Sequence, residues 1–540
     1  MREFEYIVVG AGSAGCVLAN RLSEDPTQRV LLIEAGGSDR KMNVRVPVAF
    51  AKQFRTDLDW NYTSEPDPNL IGRSMYLPRG RCLGGSSSMN AMLYIRGQSA
   101  DYEDWAANGA PGWGWEDVLP YYKRSEGNER LGDPYHGQAG PLNVADPVFT
   151  TPAGKRFIET AQAHGIRRTE DFNDGEQEGV GLPQLNQKRG RRWSAADAFL
   201  HPASGRENLT VVTGAHARRL LFSGDRVSGV EFDYKGKRAG AAARREVVVC
   251  AGAFNSPQLL MLSGIGPADQ LKQVGIDCAV DSPHVGEHLM DHPLITVNYA
   301  STEKGGLEDA THPRYLAEYL IGRGKGKLSS NVAETLAHIR TREGLPGPDV
   351  QVLFGGAFYS DNGFRTFPGP AFVFGASLIR PTSEGRVRLR SADPHQPPEI
   401  HLNFLSDEGE MRALIASVRL FRELAALGPL GDIAGPNVDP GPGVLSDEQL
   451  EAWIRADVQH TYHPSCTCRM GGEGDGVLDE QLRVRGVGGL RVADASSLPR
   501  ITSGNTNAPA IMVGERAAEM MLEGRGPAVS GAVSAAQVPA

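Results

Sequence analysis

Residues 4–38, FEYIVVGAGSAGCVLANRLSEDPTQRVLLIEAGGS, decide the fold. The run 4–9 is short, mainly apolar and β-branched, as in a parallel strand buried on both faces. Gly10, Gly12 and Gly15 follow as G-x-G-x-x-G. In that spacing the first glycine allows a tight turn, and the second lets backbone approach a pyrophosphate. The third lets helix and strand pack closely, with phosphate on the helix N-terminus. Val17, Leu18 and Leu22 give the helix an apolar face, and 29–33 supplies the next strand. Glu34 then stands 19 residues after Gly15, where a carboxylate takes the ribose hydroxyls of an adenosine and disfavours a 2′-phosphate. The stretch predicts a dinucleotide-binding βαβ unit, with FAD and NAD both open.

Two further glycine-rich runs lie outward from it. Residues 79–97, RGRCLGGSSSMNAMLYIRG, offer backbone NH groups and hydroxyls at close approach to something flat or anionic. Residues 252–267, GAFNSPQLLMLSGIGP, follow the strand-like EVVVCAG of 246–252. They read as another strand–turn–helix unit, with Asn255 or Ser256 near the cap and Pro257 in the first turn.

Composition bounds the rest. At 540 residues more than one domain is expected. The 40% hydrophobic and 22% charged content is that of a soluble globular protein. A net charge of −9 argues against a nucleic-acid surface, and KRGRRW at 188–193 is short and isolated. No run approaches a membrane span. The chain enters a strand pattern at once, leaving no room for a signal peptide, and six scattered cysteines suggest no disulfide framework. These features point to a cytoplasmic setting, with peripheral contact to an inner membrane left open.

The two glycine-rich runs resemble the two signature patterns of the glucose–methanol–choline (GMC) flavin oxidoreductases. Residues 489–521, GLRVADASSLPRITSGNTNAPAIMVGERAAEMM, resemble that family's closing segment. The likeness spans residues 4 to about 522 and is nearest to choline dehydrogenases and bacterial FAD-dependent alcohol dehydrogenases. It is carried by YHPSCTCRMG, SGNTNAPAIM and KLSSNVAETLAHIRT. It implies an α/β fold in which a Rossmann-like FAD-binding domain is interrupted by a substrate-binding domain of sheet plus helices. The FAD-binding domain would comprise 1–155, 200–300 and 460–525. Residues 156–199 and 301–459 would form the substrate domain, with 526–540 a flexible tail. It also implies oxidation of a primary alcohol by hydride transfer to FAD, and electrons passed to a quinone or dye-type acceptor.

Cofactor contacts carry over as expectations. Gly10, Gly12, Ser13, Ala14 and Gly15 would hold the phosphates, with Glu34 and Ala35 at the adenosine ribose. Gly84, Gly85, Asn90, Ala91, Met92 and Leu93 would flank the isoalloxazine and ribityl chain. Asp494 and Ala495 would reach the pyrophosphate–ribityl portion, and Asn505, Thr506 and Pro509 the ring. Trp60, Arg79, Ala217 and Ala251 complete the set. Some family members link FAD covalently through a His in the GGSSxxN run. Met89 stands at that position here, so noncovalent FAD is expected.

The run 460–472, HTYHPSCTCRMGG, invites a metal or thiol reading. Cys466 and Cys468 form a poor zinc clip, and no C-x-x-C partner exists, so no metal is expected and both cysteines are read as packing residues. His463 matches the family's histidine beside the flavin and is the expected base for the alcohol proton. Asn507 is its expected partner, and His460 a solvated or capping residue. Tyr462 and Glu334 are candidates for the substrate pocket. An oxidase releasing hydrogen peroxide, a flavin-containing hydroxynitrile lyase and a non-catalytic flavin binder remain as alternatives. The alcohol, the acceptor and the oligomeric state are not legible.

Overall fold

The computed structural model describes residues 2–524, so the 526–540 tail lies outside the described residues. Strand β1 (Arg2–Val9), helix α1 (Ser13–Leu22) and strand β2 (Val30–Glu34) form the first crossover. Tyr6 lies opposite Val30 and Val9 opposite Ile33, in parallel. All of β2 and the end of β1 are buried, which is why their alternation carries no polar face. A Cβ on Gly15 would stand 1.9 Å from the Gly10 carbonyl, so that helix can meet its strand only through glycine.

Strand β3 (Gly179–Gly181) passes to a second sheet. Strand β4 (Leu209–Thr213) returns to β2, and β5 (Ala215–Ser223), β6 (Arg226–Tyr234) and β7 (Lys237–Val249) form an antiparallel addition. Helix α2 (Pro152–Ala163) precedes these strands, and α3 (Gly252–Leu262) follows them. The first sheet runs β4–β2–β1–β7–β6–β5.

The second sheet is antiparallel and adds β8 (Pro293–Ser301), β9 (Thr335–Ile339), β10 (Val350–Gly355), β11 (Ala371–Leu378) and β12 (Ala434–Asp439). Its order is β12–β8–β11–β10–β9–β3, with β13 (Gln459–His460) also on β8, where His460 opposes Pro293. Strand β14 (Leu490–Val492) closes the first sheet against β7. Helices α4 (Pro313–Ile321), α5 (Glu408–Ala425) and α6 (Asn507–Glu523) complete the elements used below. Among the described residues no helix is long and apolar enough to cross a membrane.

The period-2 alternation of the second sheet creates the site. Phe354 stacks on Phe157 of α2 at 4.5 Å, and Phe374 on Phe421 of α5 at 4.7 Å, burying one face. Their neighbours Leu353, Val373 and Gly375, with Leu294 and Thr296, line a cavity between the two sheets.

Two local expectations change. Strand β8, inside the range given to the nucleotide fold, is central to the second sheet; both its faces are buried, and pattern alone does not say in which sheet. Pro257 lies inside α3 rather than in its first turn. The N–H that proline lacks would have bonded the Ala253 carbonyl. The Thr467 hydroxyl donates there instead, at 2.6 Å.

Candidate active site

Two contiguous cavities share Ser13, Arg79, Ser86, Ala495 and Ala510. The first is lined by Gly10, Gly12, Ser13 and Ala14, by Glu34, Ala35, Trp60 and Arg79, and by Gly85, Ala217, Ala251 and Asp494. The second is lined by Asn90, Ala91, Met92 and Leu93, and by Tyr462, His463, Asn505, Thr506 and Asn507. Of the expected cofactor residues, Gly15, Gly84 and Pro509 line neither. Gly15 packs α1 on β1, Gly84 makes a left-handed turn at φ +85°, and Pro509 is buried in the first turn of α6.

The first cavity fits the dinucleotide implied by the sequence. The α1 N-terminus has no side-chain cap and no acid in its first turn, leaving NH groups for phosphate. Glu34 is buried there, its two oxygens accepting from Ala11 N and Gly36 N at 2.8 Å. Burial pushes its carboxyl up, against those two bonds and the Arg81 charge. Asp494 accepts from Gly252 N, Ser256 Oγ and Ser496 N at 2.6–2.8 Å, tying α3 to the segment entering α6.

Glu334 does not line the pocket. Its carboxylate accepts from Thr151 N, Thr151 Oγ1 and Ser330 Oγ, so it clamps the α2 entry to the turn before β9. Tyr462 does line it, at φ +66°, with its hydroxyl 2.9 Å from that of Tyr359. His460 is buried rather than solvated, set between Asp291 Oδ2 at 3.2 Å and the Tyr76 carbonyl at 3.1 Å, because β13 pairs inside the sheet.

His463 is 8% exposed. Its backbone N donates to Asp291 Oδ1 at 2.8 Å, and its Nδ1 lies 3.0 Å from Nδ1 of His292. Its Nε2 lies 3.1 Å from the Asn505 amide nitrogen, while Gln351 Nε2 donates to Asn505 Oδ1 at 3.3 Å. The residue against the imidazole is therefore Asn505, not Asn507. Asn507 opens α6, and its side chain turns toward α1, accepting from Ser13 Oγ at 2.7 Å and donating to Asn186 at 3.3 Å. Burial, helped by His292, Arg79 and His460 and opposed by Asp291, holds His463 well below the usual imidazole range. His292, also buried, is pushed down to about 4. Both rings are neutral near pH 7, which leaves His463 Nε2 free to accept a proton.

Cys466 and Cys468 are buried in the core of the first sheet, and burial pushes the Cys466 thiol up to about 12. Neither is placed for nucleophilic chemistry. His292 and Asp291 were not identified from sequence. DHP at 291–293 resembles any other His-Pro in the chain, such as those at 201–202 and 312–313.

The sequence pattern of the GMC oxidoreductases matches residues 4–294 with its N-terminal part and 381–514 with its C-terminal part, and the chain belongs to that family. It is similar, at 44% identity over 96% of this chain and 99% of the other, to an uncharacterized GMC-type oxidoreductase of Mycobacterium tuberculosis. It is 42% identical to the mitochondrial choline dehydrogenase of Homo sapiens, over 96% of this chain and 90% of that one. Among solved structures, pyridoxine 4-oxidase from Mesorbium loti superposes with a TM-score of 0.89 at 32% identity, covering 96% of this chain and 99% of that chain.

Proposed function

We propose that the protein binds FAD noncovalently and oxidises a neutral primary alcohol to the aldehyde, passing electrons to a quinone or dye-type acceptor. The observation that carries this reading is the neutral His463 held 3.1 Å from Asn505 at the end of the second cavity. Bound FAD supplies the hydride acceptor, and an alkoxide releases hydride more readily than an alcohol. His463 takes the hydroxyl proton at Nε2. The Asn505 amide donates to the same oxygen and stabilises its growing charge, a bond worth more to a charged than to a neutral acceptor. Gln351 fixes which way that amide faces.

The cavity wall selects the alcohol. Phe50, Phe54, Leu294, Leu353, Val373 and Tyr359 surround it, and none of the residues lining it is Asp or Glu. A quaternary ammonium wants an aromatic cage and, in a dry site, a counter-charge. This wall favours an uncharged apolar alcohol over choline, despite the choline dehydrogenase relative.

Anaerobic addition of benzyl alcohol, hexan-1-ol and choline to the flavin-loaded protein tests the reading. The first two should bleach the flavin at low concentration and choline should not. Bleaching by choline alone overturns the substrate class, and no bleaching by any alcohol overturns the redox reading in favour of a lyase. The likeness to pyridoxine 4-oxidase supports an oxidase as second reading. Reoxidation of the reduced protein in air, with peroxide formed as fast as a phenazine is reduced, would select it.

A further inference from the structure

Helix α4 carries a core-type stripe on its solvent side. Pro313, Leu316, Ala317, Leu320 and Ile321 recur at i, i+3, i+4, i+7 and i+8, and all are exposed, Leu320 by 50% and Ile321 by 83%. That spacing ordinarily faces a core. Here the inward side is taken by Tyr319, whose hydroxyl donates to the Gly190 carbonyl at 3.0 Å and whose ring packs with Val46, Ala49 and Leu328.

The same contact gathers charge. Gly190 is the turn of the KRGRRW run, and a Cβ there would come 1.8 Å from the Gly324 carbonyl. Lys188, Arg189 and Arg191 are thereby brought beside Arg323 and Lys325, and all five are exposed. Arg314 and Lys327 both pair with Asp309, but among the described residues none of the five forms an ion pair. Glu318, beside Gly326, is the opposing acid on the helix. A basic face on a chain of net charge −9 is a local feature. Leucine and isoleucine standing in water next to it fit lipid rather than nucleic acid.

We propose that α4 and the KRGRRW turn dock this protein on an anionic lipid surface, with the α4 stripe entering the headgroup region and the five cations meeting lipid charge. The face lies on the turn Pro47–Gln53, which contributes Phe50 to the second cavity, so docking brings the cavity wall near the bilayer. The proposal does not depend on the alcohol reading, since lipid binding is measured without turnover.

The test is co-sedimentation of the flavin-loaded full chain with phosphatidylcholine vesicles, with and without phosphatidylglycerol. Wild type should sediment with the anionic vesicles, less so in high salt, and little with neutral ones. Leu320→Asp with Ile321→Asp should weaken binding by about tenfold or more. Arg189→Glu with Lys325→Glu should weaken it by about fivefold for each cation lost. Thermal midpoint and turnover with a water-soluble dye should be unchanged in both variants. Absence of wild-type sedimentation with anionic vesicles, or sedimentation of both variants equal to that of wild type, overturns the proposal. So does light scattering that shows a wild-type dimer which Leu320→Asp with Ile321→Asp dissolves, since a second copy would then cover the stripe.

Discussion

The Nδ1 atoms of His463 and His292 face each other at 3.0 Å, so only one of them carries a proton. Because the Asn505 amide donates to His463 Nε2, the His463 proton sits on Nδ1 and points to His292. This arrangement fixes a neutral tautomer whose Nε2 lone pair is met by Asn505 at the cavity.

His463→Ala should therefore slow anaerobic flavin reduction by about 10²–10⁴-fold, the usual worth of a general base. FAD content should hold, since the imidazole is not at the phosphate end. Near wild-type reduction in stopped flow would transfer the role to another residue.

The pH profile follows from the depressed His463 pKa. A base acts when unprotonated, so kcat/KM should be flat across neutral pH and fall only well below 6.5, the ordinary imidazole value. A midpoint at or above 6.5 would contradict the burial argument.

Asn505→Ala should slow reduction by about 10–100-fold, the cost of a hydrogen bond to a charged oxygen. The plateau of the pH profile should keep its shape. Asn507→Ala should instead loosen the contact with Ser13 and show mainly in FAD retention. Equal losses of reduction rate in the two variants would erase the distinction.

The two asparagines show where sequence reading stopped. Residues 505–507, NTN, present the same side chain twice, and no periodicity separates them. Only the start of α6 does: Asn507 is its first residue and swings toward α1, while Asn505 precedes the helix and meets the ring. The βαβ unit was legible because glycine spacing and buried strands are local. His292 and Asp291 were not, since they reach His463 across 171 and 172 residues through strand pairing. Glu334 misled for the opposite reason: an isolated acid in an apolar run suggests a ligand, and its three donors appear only in the fold.

FAD should be released to the supernatant on acid precipitation, because Met89 offers no linking nitrogen. Yellow flavin retained on the pellet would show a bond from another residue.

Replacing both Cys466 and Cys468 with Ala should lower the thermal midpoint by a few degrees and leave turnover close to wild type, since both thiols only fill core volume. A large loss of activity in a fully flavinated protein would make one of them a participant.

Acid should destabilise the fold through the buried imidazoles. His292 is pushed down to about 4 by burial, so below 6.5 the unfolded chain takes up a proton that the folded chain refuses. Stability should decline between about pH 6.5 and about pH 4, and His292→Asn should flatten part of that decline in urea titrations. An unchanged slope would assign the acid sensitivity elsewhere.

The ladder between the segments around 290–294 and 459–465 has a longer reach. Thr461 N donates to the His292 carbonyl, and Met290 and Ser465 exchange both backbone bonds. His463, the base of the proposed reaction, is thus held between two backbone bonds of this ladder. A slip of one residue would present Tyr462 or Pro464 in its place. If the proposed reaction holds, cavity-facing positions on β8, β10 and β11 can vary without moving His463, because the wall and the imidazole sit on different parts of the same sheet.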